Sequence, residues 1–243
     1  MLIVESLLLL LTEDSGRPEG WSSDNDLMLR GALLSDLMLA GRIEADTART
    51  ARRPRMRIVD ATPTGHPVLD DALAVLSAKN GKRISSALTW DDLRPHDAAG
   101  TSLVKAGVLT KSTGATPGAA VEPAEPVEPA APAGAAPSAV PAFPTHDPRP
   151  EAELRERLYG EIAGTRAPDA QDSALLTLLQ STDAAWRILR AERTGLRRSG
   201  LAQRIKEIAE QAPVTGAIKE AIASISSAVG VISARTRSAA AAT

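Results

Sequence analysis

The sequence contains no cysteine. Disulfide frameworks, zinc fingers, iron–sulfur clusters and thiol catalysis are therefore excluded. Aromatic residues make up only 2% of the 243 positions: Trp21, Trp90, Phe143, Tyr159 and Trp186. So few rings cannot build the stacking platforms that bind single strands or RNA, and they argue against an aromatic sugar cleft. The core must be filled by Leu, Ile, Val and Ala, which favours close-packed helices. Charge of either sign is also not in excess. With 28 basic against 30 acidic residues the formal net charge is −2, so nucleic acid or an anionic membrane meets no global attraction and must be bound by a local patch. What is present is a hydrophobic fraction of 43%, enough for a true core in one large or two small domains.

Long apolar runs are scarce too. The start, Met1 to Leu11, has no basic lead, carries Glu5 inside the run, and continues into Thr12-Glu13-Asp14 where a cleavage site would stand. It is far shorter than the roughly 20 residues that span a bilayer. It reads as a buried first helix. No other segment reads as long and apolar enough to cross a membrane, and the expected location is cytoplasmic, soluble or reversibly peripheral.

Ten of the 17 prolines fall between residues 113 and 150, as in Glu122-Pro123-Ala124-Glu125-Pro126-Val127-Glu128-Pro129. A stretch of Ala, Pro and Glu with few large apolar residues cannot offset its ordering entropy, so 113–141 reads as a disordered, extended insertion. It divides one domain into 1–112 and 142–238, followed by a frayed tail, 239–243. Ahead of it, Ser23-x-x-Asp26 resembles a capping box. Leu27, Met28, Leu33, Leu34, Leu37 and Met38 then keep helical spacing up to Gly41, a natural C′ residue. Arg42 to Ala45 and Arg55 to Val59 alternate as paired strands. Residues 62–67 form a turn, and Val68 to Ala78, Ser85 to Leu88 and Leu103 to Leu109 read as helical. Beyond the insertion, Glu151 to Ile162 is amphipathic and Ala174 to Leu189 is a central apolar helix. Leu201 to Glu210 is again amphipathic. Ile218, Ile222, Ile225, Val229 and Ile232 form one apolar seam. The fold class is mainly α: a helical bundle around a central apolar helix, with a small β-hairpin and the Ala/Pro-rich insertion.

No nucleophile elbow, P-loop, His-Glu-x-x-His or dinucleotide fingerprint occurs, so the expected chemistry is binding without catalysis, cofactor or metal. His66, His96 and His146 lie in Pro-containing turns without ligand spacing. Asp70-Asp71 and Asp91-Asp92 are read as helix starts, where carboxylates complement the dipole. Arg190, Arg193, Arg197, Arg198, Arg204 and Lys206 read as a solvated loop and helix face, with an anion-binding patch as the alternative. Arg49, Arg52, Arg53, Arg55 and Arg57 make a basic hairpin, 49–57, after a helix. This permits an alternative reading as a winged-helix-like DNA-binding regulator. Leu27 to Ala40, however, lacks the side chains that read base edges, and no nucleic-acid partner is expected.

Glu5-Ser6 with Leu7 to Leu11 is followed by Trp21, and nine residues later by Leu29-Arg30-Gly31. Then come Leu33-Leu34-Ser35-Asp36-Leu37, Ala40-Gly41-Arg42-Ile43, Asp60-Ala61-Thr62-Pro63-Thr64-Gly65 and Leu103-Val104-x-x-Gly107-Val108-Leu109. In order and spacing these segments resemble the Golgi phosphoprotein 3 family, which has many bacterial members. The Ala-, Arg- and Pro-rich, Lys-poor composition fits a bacterial, high-GC source. The resemblance implies a mainly helical domain that binds peripherally to the cytoplasmic face of a membrane through the headgroup of phosphatidylinositol 4-phosphate. In eukaryotic members this attachment holds glycosyltransferases by their cytoplasmic tails. It implies a pocket made of a Trp, an Arg nine residues on, and two basic residues at the start of a later helix. Trp21 and Arg30 match the first two, and Arg94 and His96 fall near the others, with Leu93 at one of the expected basic positions. Another anionic phospholipid is an alternative ligand. The Ala/Pro/Glu insertion occupies the place of the family's projecting hairpin, leaving oligomeric state open.

Arginine forks suit phosphate oxygens, and a loop Trp offers an apolar body with one N–H donor. Without the resemblance, Trp21 would read as a lid on the bundle and Arg30 as part of a solvated helix face.

Overall fold

The computed structural model describes residues 1–17, 23–46, 54–112, 142–189 and 191–240. The insertion 113–141 lies outside them.

Helix α1, Ile3–Leu10, is buried at every residue, as the unbroken apolar run requires. Because it is enclosed, its first amides must be satisfied by protein. Asp36 accepts from the Ile3 and Val4 N–H groups at 2.8 and 3.0 Å, and Glu5 reaches back to the Leu2 N–H at 2.9 Å. Asp36 belongs to α2, Ser23–Leu39, which buries Leu27, Met28, Leu29, Leu33, Leu34 and Leu37. The helix ends at Gly41, whose φ is +67°. The Arg42 N–H bonds the Leu37 carbonyl at 2.9 Å and the Gly41 N–H bonds the Met38 carbonyl at 3.0 Å. This paired closure needs a left-handed residue, which glycine supplies at no steric cost.

The chain then forms β1, Ile43–Asp46, and β2, Arg55–Ile58, antiparallel with Ile43 opposite Ile58 and Ala45 opposite Met56. Three helices follow: α3, Pro67–Ser77; α4, Ile84–Ala87; and α5, Pro95–Lys105. The expected helical piece Leu103 to Leu109 is corrected here. Leu103 lies in the last turn of α5, and Gly107 closes that helix as Gly41 closes α2, with the Val108 N–H on the Leu103 carbonyl at 2.9 Å. The first two turns of α5 escape apolar periodicity because they read Pro-His-Asp-Ala-Ala-Gly-Thr-Ser.

Past the insertion come α6, Arg149–Ala163; α7, Ala170–Ser181; α8, Ala184–Ile188; α9, Ala191–Thr194; α10, Arg198–Gln211; and α11, Gly216–Ala240. The single helix expected over Ala174 to Leu189 is two. Asp183 takes φ 62°, a left-handed conformation that Asp tolerates better than most residues, and α8 starts beyond it. Apolar residues keep helical spacing through the break, so periodicity does not reveal it. α7 is buried on most faces and packs against α2, α10 and α11. Asp169 caps it through the Gln171 and Asp172 N–H groups.

In α11, Ile222, Ile225 and Val229 face α2 and α7. A Cβ at Gly31 would meet Leu178 at 3.0 Å, Ile225 at 3.2 Å and Val229 at 3.3 Å. Gly31→Val should therefore cost about 1–3 kcal/mol by overpacking, measured as a fall in the urea midpoint. The expectation that no segment beyond the first is long and apolar enough to cross a membrane does not hold for α11. Gly216–Ala239 passes by length and composition, with a mean hydropathy of 1.4 and 33% of its most apolar window buried. Its polar residues are mostly Ser and Thr, which lower hydropathy little. The helix remains regular past Arg237 to Ala240; residues 241–243 lie outside the described residues.

The two ends of the insertion are joined. The Ser112 N–H bonds the Ala142 carbonyl at 3.0 Å and the Thr110 N–H bonds Pro144 at 2.8 Å, so the chain leaves and re-enters the bundle at one point. Phe143, expected only to border the insertion, is 1% exposed and belongs to the core.

Candidate functional site

Trp21 lies outside the described residues; α2 begins two positions after it. Arg30 stands two turns into α2 with its side chain 14% exposed. Its Nε donates to the Leu93 carbonyl at 3.2 Å and its Nη1 to the Leu88 carbonyl at 3.1 Å. Nη2 stands 4.0 Å from carboxylate oxygens of both Asp26 and Asp91. Arg30 is thus not the freely solvated cation that the helix pattern alone suggested. It ties α2 to the turn between α4 and α5 through carbonyls that would otherwise lack donors.

That turn delivers Arg94. It is the N-cap of α5 and is exposed, and its guanidinium makes no hydrogen bond or ion pair with a described residue. Arg30 and Arg94, 64 positions apart, are thus tied to one turn by backbone alone: Arg30 bonds the Leu93 carbonyl, and Arg94 is the next residue. His96 goes elsewhere. Its ring sits 5.3 Å from that of Phe143 at 51°, with Nδ1 3.2 Å from Asp97 Oδ1.

Arg94 also lines a cleft of 410 Å³ between α3 and α5, where Lys105 is the second cation and Asp71, Asp92 and Asp97 are the acids. Asp92 pairs with Lys79, whose hydrogen bond holds the Asp92 carboxyl below the usual range. Lys79 Nζ also lies 4.4 Å from the centroid of Trp90. The sequence offered no place for Trp90; a basic residue eleven positions upstream is too common a signal to have found it. Asp91 and Asp92 precede α5 instead of opening it, and Asp97 is the acid in its first turn. The expectation of a helix start is corrected for that pair. Asp70 is in the first turn of α3, where the Thr64 hydroxyl and N–H, at 2.6 and 2.5 Å, hold its carboxyl below the usual range.

Of the other basic residues singled out in the sequence, Arg197 is the N-cap of α10 with no side-chain partner among the described residues, and several others are occupied by their own neighbours. Arg193 pairs with Glu156 at 2.5 Å and lies over Tyr159, and Arg198 pairs with Asp183 at 2.6 Å. Arg204 donates to the carbonyls of Ile162 and Glu161, and Lys206 stands 4.0 Å from Glu210. Arg190 lies outside the described residues, as do Arg49, Arg52 and Arg53. In the described part of the hairpin, Arg57 pairs with Glu44 and Arg55 donates to the Gly81 carbonyl at 2.6 Å. His66 Nε2 is 3.4 Å from Glu5 Oε1, and His146 is exposed. Among the described residues no group of three or more His, Asp or Glu is placed to hold a metal ion.

The class defined by these features is a mainly α bundle with a short antiparallel hairpin and, where α2 meets the turn before α5, Arg30 and Arg94 among Asp26, Asp91 and Asp92. The Golgi phosphoprotein 3 (GPP34) family matches residues 2–225, and the chain belongs to that family. The match ends part-way along α11. A search of curated proteins finds no significant match.

Proposed function

We propose that this protein is a peripheral membrane adaptor that binds an anionic lipid headgroup, phosphatidylinositol 4-phosphate or a relative, on the cytoplasmic face of a membrane. Trp21 and Arg30 hold the headgroup and Arg94 adds the second guanidinium, while His96, turned onto Phe143, stands apart from it. The observation that carries this reading is the bond from Arg30 to the Leu93 carbonyl, which seats two arginines distant in sequence at one turn. Arg94 has its whole fork available for phosphate oxygens. Arg30 keeps Nη2 for a ligand, against competition from Asp26 and Asp91. Family membership supports the membrane setting, and the clients that follow from it are cytoplasmic tails of membrane enzymes such as glycosyltransferases.

The test is co-sedimentation with liposomes that contain or lack phosphatidylinositol 4-phosphate. Wild type is expected to pellet with the lipid-bearing vesicles, and Trp21→Ala, Arg30→Ala and Arg94→Ala each to lose about tenfold in affinity, near 1.4 kcal/mol. Arg94→Ala is the cleanest of the three because its side chain supports no described contact, so its melting temperature should not move. His96→Ala should matter less, since the ring faces Phe143. Equal pelleting with both vesicle types sinks the proposal.

A further inference from the structure

α11 carries two seams. One is the buried aliphatic seam already described. The other, on its outer face, runs through Gly216, Glu220, Ala223, Ser227, Gly230 and Ala234 at a 4-3-4-3-4 spacing, the repeat by which one helix receives another. These residues form one wall of a groove of 870 Å³, with α7 behind and α10 opposite. Small side chains let a second helix axis come close. Ser226 lines the groove too. It is 5% exposed, yet its hydroxyl has no hydrogen-bond partner.

Charge identifies the groove's complement. Glu220 and Arg235 lie toward opposite ends of the outer face of α11, both exposed, and neither forms an ion pair or hydrogen bond with a described residue. A parallel copy of the helix would set Glu220 beside Glu220 and Arg235 beside Arg235. An antiparallel copy centred on Ser227 and Ala228 sets Glu220 opposite Arg235 at both ends and also opposes the two helix dipoles. The surface is therefore complementary to itself, as a two-fold interface must be. The formal net charge of −2 per chain adds little repulsion between copies.

We infer that this groove is a homodimer interface, occupied by α11 of a second copy of the chain running antiparallel. Each α11 lies between α10 and α11 of the other copy. The seam's second half, Ser227, Gly230 and Ala234, lies beyond the family match.

Sedimentation equilibrium of the full chain over a concentration series tests this. Wild type should move from 25.4 kDa toward twice that mass. Ala223→Arg, which blocks the groove from an exposed position, should stay at the mass of one chain with unchanged helicity and melting temperature. Glu220→Arg should weaken self-association about tenfold, and Glu220→Arg with Arg235→Glu should restore it. A single species of one chain's mass at every concentration overturns the inference. So does a dimer indifferent to Ala223→Arg, or a double variant no tighter than Glu220→Arg alone.

Discussion

Phe143→Ala is expected to cost about 3–5 kcal/mol of folding stability, the range for emptying a buried aromatic site. The ring is the chain's only Phe and is fully buried, with the His96 ring beside it. It rests on a helix surface shaped for it: a Cβ at Gly100 would stand 2.3, 2.4 and 2.7 Å from three of its ring carbons. Gly100→Ala should therefore destabilise as well, by about 1–3 kcal/mol from overpacking, although alanine is the better helix former. The two losses should not add. With Phe143 gone, the new methyl enters the vacated space, so the double variant should be more stable than the sum of the single effects predicts. Urea midpoints for the four proteins of the cycle measure this. Strict additivity would mean that the ring and Gly100 do not share the space assigned to them. The loss should also loosen the strand pairs on either side of residues 113–141, because Phe143 lies between the bonds made by Ala142 and Pro144.

Stability should fall as pH rises from about 4 to about 7, and Asp36→Asn should remove much of that slope. Burial raises the Asp36 carboxyl from 3.8 to about 7; the bonds from the Ile3 and Val4 N–H groups pull the other way, and the nearby Glu5 adds to the rise. The unfolded chain releases this proton near 3.8, whereas the folded protein keeps it until about 7. Over that window the folded state binds more protons, so raising pH favours unfolding. A rise of this size corresponds to a cost on the order of 4 kcal/mol, complete above pH 7 and absent below about pH 4. Glu161 acts in the same direction. Burial raises its carboxyl from 4.5 to about 7, and its Oε2 lacks a partner. Asp36→Asn should therefore leave a smaller slope of the same sign, and adding Glu161→Gln should nearly flatten it. Urea midpoints between pH 4 and 8 decide the matter; an Asp36→Asn protein with the wild-type slope would refute the assignment.

Much of the fold was legible because helices announce themselves locally. The Leu run of α1, the spacing in α2 and the Ile/Val seam of α11 each repeat one residue type at the period of a helix face. Gly41 closes its helix where the pattern placed the stop. What escaped reading was decided by contacts distant in sequence. The break at Asp183 leaves the apolar spacing intact, and α5 begins in residues too polar to show a face. In the candidate site, Arg30 and Arg94 are singled out by the family resemblance, since the helix pattern alone reads Arg30 as part of a solvated face. The tie between Arg30 and the Leu93 carbonyl, and the turning of His96 onto Phe143, depend on how α2, α5 and the segment after residue 141 pack.

By itself, then, the sequence determined a mainly helical protein with an aliphatic core, no cysteine chemistry and little net charge. Composition and periodicity act through each residue's own preference for water or a helix face, and these are properties of the chain alone. Only the tertiary structure decided that Asp36 caps α1 from another helix, and that one of five scarce aromatic rings rests on a glycine. It alone also showed that Arg30 spends two donors on carbonyls, and that the outer seam of α11 is left uncovered. Each of these depends on which surfaces face each other after collapse, and no local preference encodes that.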